Sequence, residues 1–244
     1  MRAMIFAAGL GTRLKPITDT LPKALVPVGG MPLIEHIARK LTASGIDQAV
    51  VNVHHFADKI EAWVAHQDIM PMQVSDEREQ LLETGGGILH ARRYLEGCGK
   101  FLIHNVDILS DLDISWFEQS VPEDAMAALL VSERETSRYL LFDPQTMRLV
   151  GWTNLKTGEV RTPYKDLKPQ ECLKLAFSGI HILSDKVFDV MEEYADGPRF
   201  PIIDFYLWAC AKHKIYGVPA KELHMIDVGK LDSLEQAENM IQSL

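Results

Sequence analysis

The sequence predicts an α/β fold: a Rossmann-like, mainly parallel mixed sheet flanked by helices, with a small inserted lobe. Three observations predict it. Short apolar, β-branched runs alternate with helical patterns over about the first half of the chain. A strand-rich, less regular stretch follows. A Gly-rich turn comes directly after the first apolar run.

The elements follow in order. Residues 4–7 are apolar and predict a buried strand. Residues 32–43 predict a helix, because Leu33, Ile34, Ile37 and Leu41 fall on one stripe at helical spacing. A strand at 49–53, a helix at 58–66 and a strand at 72–74 come next. A helix at 87–95 and a strand at 100–104 complete the alternation. This pattern implies βαβ units with right-handed crossovers, hence parallel strands. The second half predicts strands at 125–131, 138–142, 148–152 and 175–183. The polar stretch 154–170 holds Gly158, Pro163 and Pro169 and predicts a mobile loop. Helices are expected at 185–194, 203–212 and 234–243. Asp232-Ser233-Leu234-Glu235 predicts a capping box for the last.

Composition narrows the function. The chain has 244 residues, 47% of them hydrophobic, which suits one large domain over 1–244. Cys98, Cys172 and Cys210 stand far apart with no CxxC spacing. That excludes a disulfide framework or zinc ribbon and suits a reducing, cytoplasmic setting. No apolar run approaches ~18 residues, so no membrane span is expected. The apolar run at 3–10 is short and lacks a small-residue cleavage pattern, so it does not predict a signal peptide. The formal charge of −9 argues against nucleic acid as a partner.

The Gly-rich turn is Gly9-Leu10-Gly11-Thr12-Arg13. Such a turn can bring backbone N–H groups up to phosphate oxygens, or it can simply be a tight turn. It is not a dinucleotide fingerprint, because residue 14 is Leu. It is not a Walker loop, because no Gly-Lys-Ser/Thr triplet exists. Ten residues on, Pro22 and Pro27 bracket Lys23, which points to a cation held in a set position or to a solvated loop lysine. Asp107 and Asp227 each stand at a predicted strand end, where an aspartate is either a metal ligand or a turn residue. Asp111-Leu112-Asp113 offers a weak Asp-x-Asp metal motif, but Asp113 is more simply a helix cap. His54-His55 lacks metal-ligand spacing.

Two blocks, Ala8-Gly9-Leu10-Gly11-Thr12-Arg13-Leu14-Lys15-Pro16 and Pro22-Lys23-Ala24-Leu25-Val26-Pro27-Val28, resemble the sugar-1-phosphate nucleotidyltransferases, or nucleotide-sugar pyrophosphorylases. The resemblance continues through Leu82-Glu83-Thr84-Gly85-Gly86-Gly87-Ile88, Asn105-Val106-Asp107, Phe177-Ser178-Gly179-Ile180 and Ile226-Asp227-Val228-Gly229. Within the family, the pattern is most similar to members that transfer uridylyl to N-acetylmuramate 1-phosphate.

The resemblance implies a GT-A-like nucleotidyltransferase fold. About 1–125 would form a nucleotide-binding half and about 126–183 a sugar-binding lobe. Residues 184–244 would supply closing helices and a second metal aspartate. It implies Mg2+-dependent joining of a nucleoside triphosphate, UTP by this likeness, to a sugar 1-phosphate, with pyrophosphate released. Arg13 and Lys23 would be catalytic. Ala8, Gly9, Gly11, Thr12, Arg13, Lys23, Thr84, Gly85, Gly86 and Asn105 would bind the nucleotide. Ser178 and Gly179 would bind the sugar, and Asp107 and Asp227 the metal. A monomer or small homo-oligomer is expected.

Val106 departs from the family, where a glycine commonly precedes the aspartate, and leaves the local ligand contact open. Lys156 and Lys165 in the polar stretch read more simply as solvated surface lysines than as sugar or phosphate contacts. The alternatives are guanylyl transfer to mannose or heptose 1-phosphate, a non-catalytic nucleotide-sugar-binding regulator, and a glycosyltransferase using Asp111 and Asp113. Charge placement removes the objection that an acidic chain raises to a triphosphate ligand. Residues 1–34 carry Arg2, Arg13, Lys15 and Lys23 against Asp19 alone, a local charge of +3 that leaves −12 for the rest.

Overall fold

β1 (Arg2–Phe6) divides its side chains between two apolar cores. Ala3 and Ile5 enter one, Met4 enters the other, and all three are fully buried. A strand buried on both faces requires helices on both faces. The computed structural model, which describes residues 1–243, has that three-layer arrangement.

A short antiparallel pair, β2 (Pro27–Val28) and β3 (Met31–Pro32), leads into α1 (Leu33–Ala43). α1 buries Leu33, Ile34, Ile37, Ala38 and Leu41 along one stripe. It ends where Gly45 turns at φ +78° and Ile46 N–H reaches back to Leu41 O. β4 (Ala49–Val53), α2 (Ala57–His66) and β5 (Met72–Asp76) follow. Then come α3 (Glu83–His90), α4 (Arg92–Leu95), β6 (Lys100–Asn105), β7 (Ile108–Ser110) and α5 (Ile114–Gln119). β1, β4, β5 and β6 are parallel, in the order β5-β4-β1-β6.

The second half comprises β8 (Ala127–Ser132), β9 (Arg138–Phe142), β10 (Leu149–Asn154), β11 (Glu159–Arg161) and β12 (Leu173–Ser184). It closes with α6 (Val187–Tyr194), α7 (Ile202–Ala209), β13 (Ile215–Pro219), β14 (Met225–Asp227) and α8 (Leu231–Ser243). β12 joins the halves. It runs antiparallel to β6 on one side and to β8 on the other, and its first three residues pair with β9. The β12–β8 register shifts between Phe177 and His181, around Gly179 at φ +79°. The second half therefore extends the sheet of the first.

Side-chain alternation sorts the helices. α1, α2, α5 and α8 cover one face, and α3, α4, α6 and α7 the other. Strands 49–53 and 138–142 stand at their expected bounds. Three expectations need correction. The helix expected at 87–95 is two helices, and the first begins at Glu83 and contains all three glycines. The polar stretch 154–170 is not all loop, since β11 pairs with β10 in a hairpin. The expected capping box is absent, because α8 begins at Leu231 and Ser233 Oγ instead bonds Lys230 (3.1 Å from its N–H, 2.8 Å to its O). Among the described residues, no helix is long and apolar enough to cross a membrane.

Candidate active site

From β1 the chain winds outward through β4 and β5, then returns to β6 on the other side of β1. The crevice at the carboxyl ends of β1 and β6 is therefore the topological switch point, where α/β sheets bind ligands. A cavity of about 520 Å³ opens there. Ala8, Gly9, Gly11, Thr12, Arg13, Lys23, Thr84, Asn105 and Asp107 all line it, so most of the expected nucleotide residues converge.

The loop after β1 is held by a few specific hydrogen bonds. Val106 N–H donates to Phe6 O (3.1 Å), and Ala7 N–H donates to Asn52 Oδ1 (2.8 Å), which fixes where the loop begins. Gly11 sits at φ +62°, a conformation that favours glycine, and its carbonyl accepts from Thr18 Oγ1 (2.8 Å) and Leu14 N–H (2.9 Å). A Cβ there would crowd Thr18 Cγ2 at 3.0 Å and Lys23 Cβ at 3.2 Å. Among the described residues, no protein acceptor takes the N–H groups of Gly9, Leu10 or Gly11. Free N–H groups on a cavity wall suit phosphate oxygens.

The aspartates come together through the backbone. β7 and β14 form an antiparallel pair in which Asp227 lies opposite Ile108, and Val228 N–H donates to Asp107 O (2.8 Å). Asp227 thus stands beside Asp107 along the backbone, though unlike Asp107 it is not among the residues that line the cavity. Arg13 completes this edge. A Cβ at Gly229 would meet Arg13 Nη2 at 2.8 Å and Asp227 Oδ1 at 2.6 Å, so both groups pack against the bare glycine. Lys23 is 8% exposed and pairs with Asp107. Two carboxylates at the edge of this loop are hard oxygen donors, the type of group that divalent cations such as Mg2+ take.

Sequence reasoning missed Asn52 and Glu77, which also line the cavity. Asn52 Nδ2 donates to Glu77 Oε1 (2.8 Å), and Leu82 N–H donates to Glu77 Oε2 (3.2 Å). Together they tie the β1 loop to the start of α3. Burial pushes the Glu77 carboxyl pKa up, against the pull of those two hydrogen bonds. A polar Asn inside the apolar run Ala49-Val50-Val51-Asn52-Val53 was the available signal.

The glycines of α3 serve a different purpose from the one expected. Gly85 and Gly86 do not line the cavity. Both N–H groups donate to Phe200 O (2.9 and 3.1 Å). A Cβ on Gly85 would strike the Phe200 ring at 2.4 Å, and one on Gly86 would strike Pro198 O at 2.1 Å. The glycines let the segment before α7 dock on α3, and Thr84 Oγ1 accepts Ile202 N–H (2.9 Å) in the same seam. Glu83 lines the cavity at φ +62° and is held by Arg199 Nη2 (2.7 Å) and Nε (2.9 Å).

Ser178 is not brought to the cavity. It is buried, and its hydroxyl donates to Leu130 O (2.8 Å). Gly179 touches the site indirectly: a Cβ there would meet Asn105 Nδ2 at 2.6 Å. Val106 is 4% exposed, joins the core beside Val228, and lies outside the left-handed region, so valine needs no glycine conformation here. Asp113 caps α5 by accepting Trp116 N–H (3.0 Å). Asp111 accepts His224 N–H (3.0 Å) and pairs with its ring.

A glycine-rich loop and neighbouring carboxylates stand at the switch point of a mainly parallel α/β sheet, the place where such sheets bind ligands. The nucleotidyl transferase family pattern matches residues 2–243, and the chain belongs to that family. It is 37% identical over 243 residues to the N-acetylmuramate alpha-1-phosphate uridylyltransferase of Neisseria meningitidis serogroup B, covering 98% of this chain and 97% of that one. It is 48% identical over 254 residues to a UTP–glucose-1-phosphate uridylyltransferase of Synechocystis, covering 97% of this chain and 62% of that one. Longer bifunctional relatives also match, and the chain spans about half their length. The fold is shared with HddC from Yersinia pseudotuberculosis, solved as a complex with GMP-PN, at a TM-score of 0.76 and 22% identity over 98% of this chain and 99% of that one. The protein is an enzyme, a sugar-1-phosphate nucleotidyltransferase.

Proposed function

We propose that the enzyme transfers the uridylyl group of UTP to N-acetylmuramate 1-phosphate, in the cytoplasm, with Mg2+ as the metal. The observation that carries the chemistry is the β7–β14 register, which sets Asp227 beside Asp107 next to the β1 loop. The uridylyltransferase relative matched over nearly its whole length supports the substrate pair.

In this reading the sugar phosphate oxygen attacks the α-phosphorus. The bond to the bridging oxygen breaks, and its electron pair leaves with pyrophosphate. An in-line displacement between anions needs positioning and charge neutralisation rather than a protein nucleophile. The free N–H groups of residues 9–11 and the Arg13 fork would hold the β- and γ-phosphates. Lys23 would place a compact charge near the α-phosphate. Mg2+ held by Asp107 and Asp227 would supply further neutralisation of phosphate charge. Asn105, backed by Gly179, would face the sugar side. Ser178 keeps a structural part in this reading, because its hydroxyl is already spent.

A panel of four nucleoside triphosphates and several sugar 1-phosphates, read by pyrophosphate release, tests the proposal. UTP with N-acetylmuramate 1-phosphate should give the highest kcat/KM. A second reading, glucose 1-phosphate as acceptor, is favoured by the 48% identity to the Synechocystis enzyme. It predicts that glucose 1-phosphate wins instead. GTP with mannose or heptose 1-phosphate as the best pair would overturn both.

A further inference from the structure

Asp107 has two claimants. Lys23 Nζ pairs with Asp107 Oδ2 in an ion pair that is largely buried, the side chains being 10% and 20% exposed. Among the described residues, Asp107 is the sole acceptor of the Lys23 ammonium. The lysine stem is pinned. It lies in a short turn where Leu25 N–H meets Pro22 O (2.9 Å) and Val26 N–H meets Lys23 O (3.1 Å). Ala24 beside it is fully buried, and the Lys23 Cβ packs under Gly11. A side chain fixed in this way has little freedom to swing its charge into solvent. Asp227, by contrast, is exposed and forms no ion pair among the described residues.

We propose that Lys23 holds the place of the divalent metal at Asp107, and that an arriving triphosphate makes the exchange possible. The inference rests on reading Asp107 and Asp227 as the metal carboxylates. A divalent cation on Asp107 would repel the ammonium already there, and a displaced ammonium would be left buried without an acceptor. A triphosphate on the β1 loop removes both obstacles. Its oxygens accept the Lys23 N–H bonds while Asp107 is released. Metal and nucleotide therefore assist each other's binding, and the coupling is reciprocal. The metal alone meets a site that its own lysine blocks.

The test is Mn2+ binding without nucleotide, followed by electron paramagnetic resonance of free Mn2+. Lys23→Met keeps the length and removes the charge, and Lys23→Gln is the second variant should the first fail to fold. Either folded variant should bind Mn2+ alone at least tenfold more tightly than the wild type. Adding Asp107→Asn to it should abolish the gain. The affinity for Mn2+–UTP is measured in parallel for Asp107→Asn and Asp227→Asn. If these weaken Mn2+–UTP binding while the folded Lys23 variants bind Mn2+ no better than wild type, the exchange is overturned and the metal reading stands. If neither aspartate variant affects Mn2+–UTP binding, both fall together.

Discussion

Val228 N–H donates to Asp107 O at 2.8 Å, and this one backbone bond, with Asp227 opposite Ile108, makes neighbours of two aspartates far apart in sequence. If they share a metal, neither can be spared. Asp107→Asn and Asp227→Asn should each lower pyrophosphate release at least about a hundredfold, since lost metal stabilisation is worth several kcal/mol. The melt of the exposed Asp227→Asn should stay near wild type, whereas Asp107→Asn strips the buried Lys23 of its charged partner and should melt lower, so its activity is read well below that melting temperature. Wild-type activity in both variants would remove the metal assignment.

Gly229 is a bare wall between Arg13 and Asp227. Gly229→Ala should push both groups aside without touching the fold. Displacement of order 1 Å at a reacting centre can cost about a hundredfold, so kcat/KM should fall by roughly ten- to a hundredfold. An unchanged rate would mean that the placement of Arg13 and Asp227 is immaterial.

The glycines of α3 predict stability, not ligand contact. Gly86→Ala puts a methyl 2.1 Å from Pro198 O, and Gly85→Ala puts one 2.4 Å from the Phe200 ring. Each should cost about 1–3 kcal/mol, with Gly86 worse because backbone must move. Gly9→Ala meets nothing within 4 Å and should leave urea midpoints unchanged. Equal stability across the three variants would contradict the docking of the Pro198–Ile202 segment on α3.

Two buried histidines set the acid limit of stability. Burial holds the His104 pKa down to about 4 and that of His181 to about 3. His181 Nδ1 lies 2.6 Å from Tyr206 OH, and among the described residues His104 Nε2 has no hydrogen-bond partner. A depressed histidine pKa means that the unfolded chain binds more protons, so stability falls as pH drops below the usual 6.5. At pH 5 each histidine should remove about 2 kcal/mol relative to pH 7.5 or above. Urea unfolding at the two pH values checks this. His104→Gln should remove about half of the pH-dependent loss.

Much of the parallel half was legible because each element carried its own periodicity. β4 and α1 are examples, with apolar residues placed by one face or two. The meeting of the Gly-rich loop with Lys23 at one cavity was legible because Gly11 and Lys23 are close in sequence and constrained by local backbone. What could not be read was tertiary. β13 carries Gly217 and Pro219, which look like loop punctuation. Gly217 is there because the Phe142 ring leaves no room, a Cβ coming within 2.8 Å of it. β7 is only three residues long and acquires its meaning from β14, far along the chain. The three glycines of α3 suggested a ligand, because nothing local reveals that Phe200 sits against Gly85, Pro198 against Gly86, and Glu77 and Asn52 against Gly87. Asp111 suggested a metal motif until its partner proved to be His224.

The most direct test of the central claim is a crystal of the enzyme with Mn2+ and a non-hydrolysable UTP analogue, read by the anomalous signal of the metal. The account predicts one strong peak bonded to the carboxylates of Asp107 and Asp227, with the triphosphate on the N–H groups of residues 9–11 and Lys23 turned to its phosphates. A triphosphate bound away from the β1 loop, or a metal peak touching neither aspartate, would contradict it.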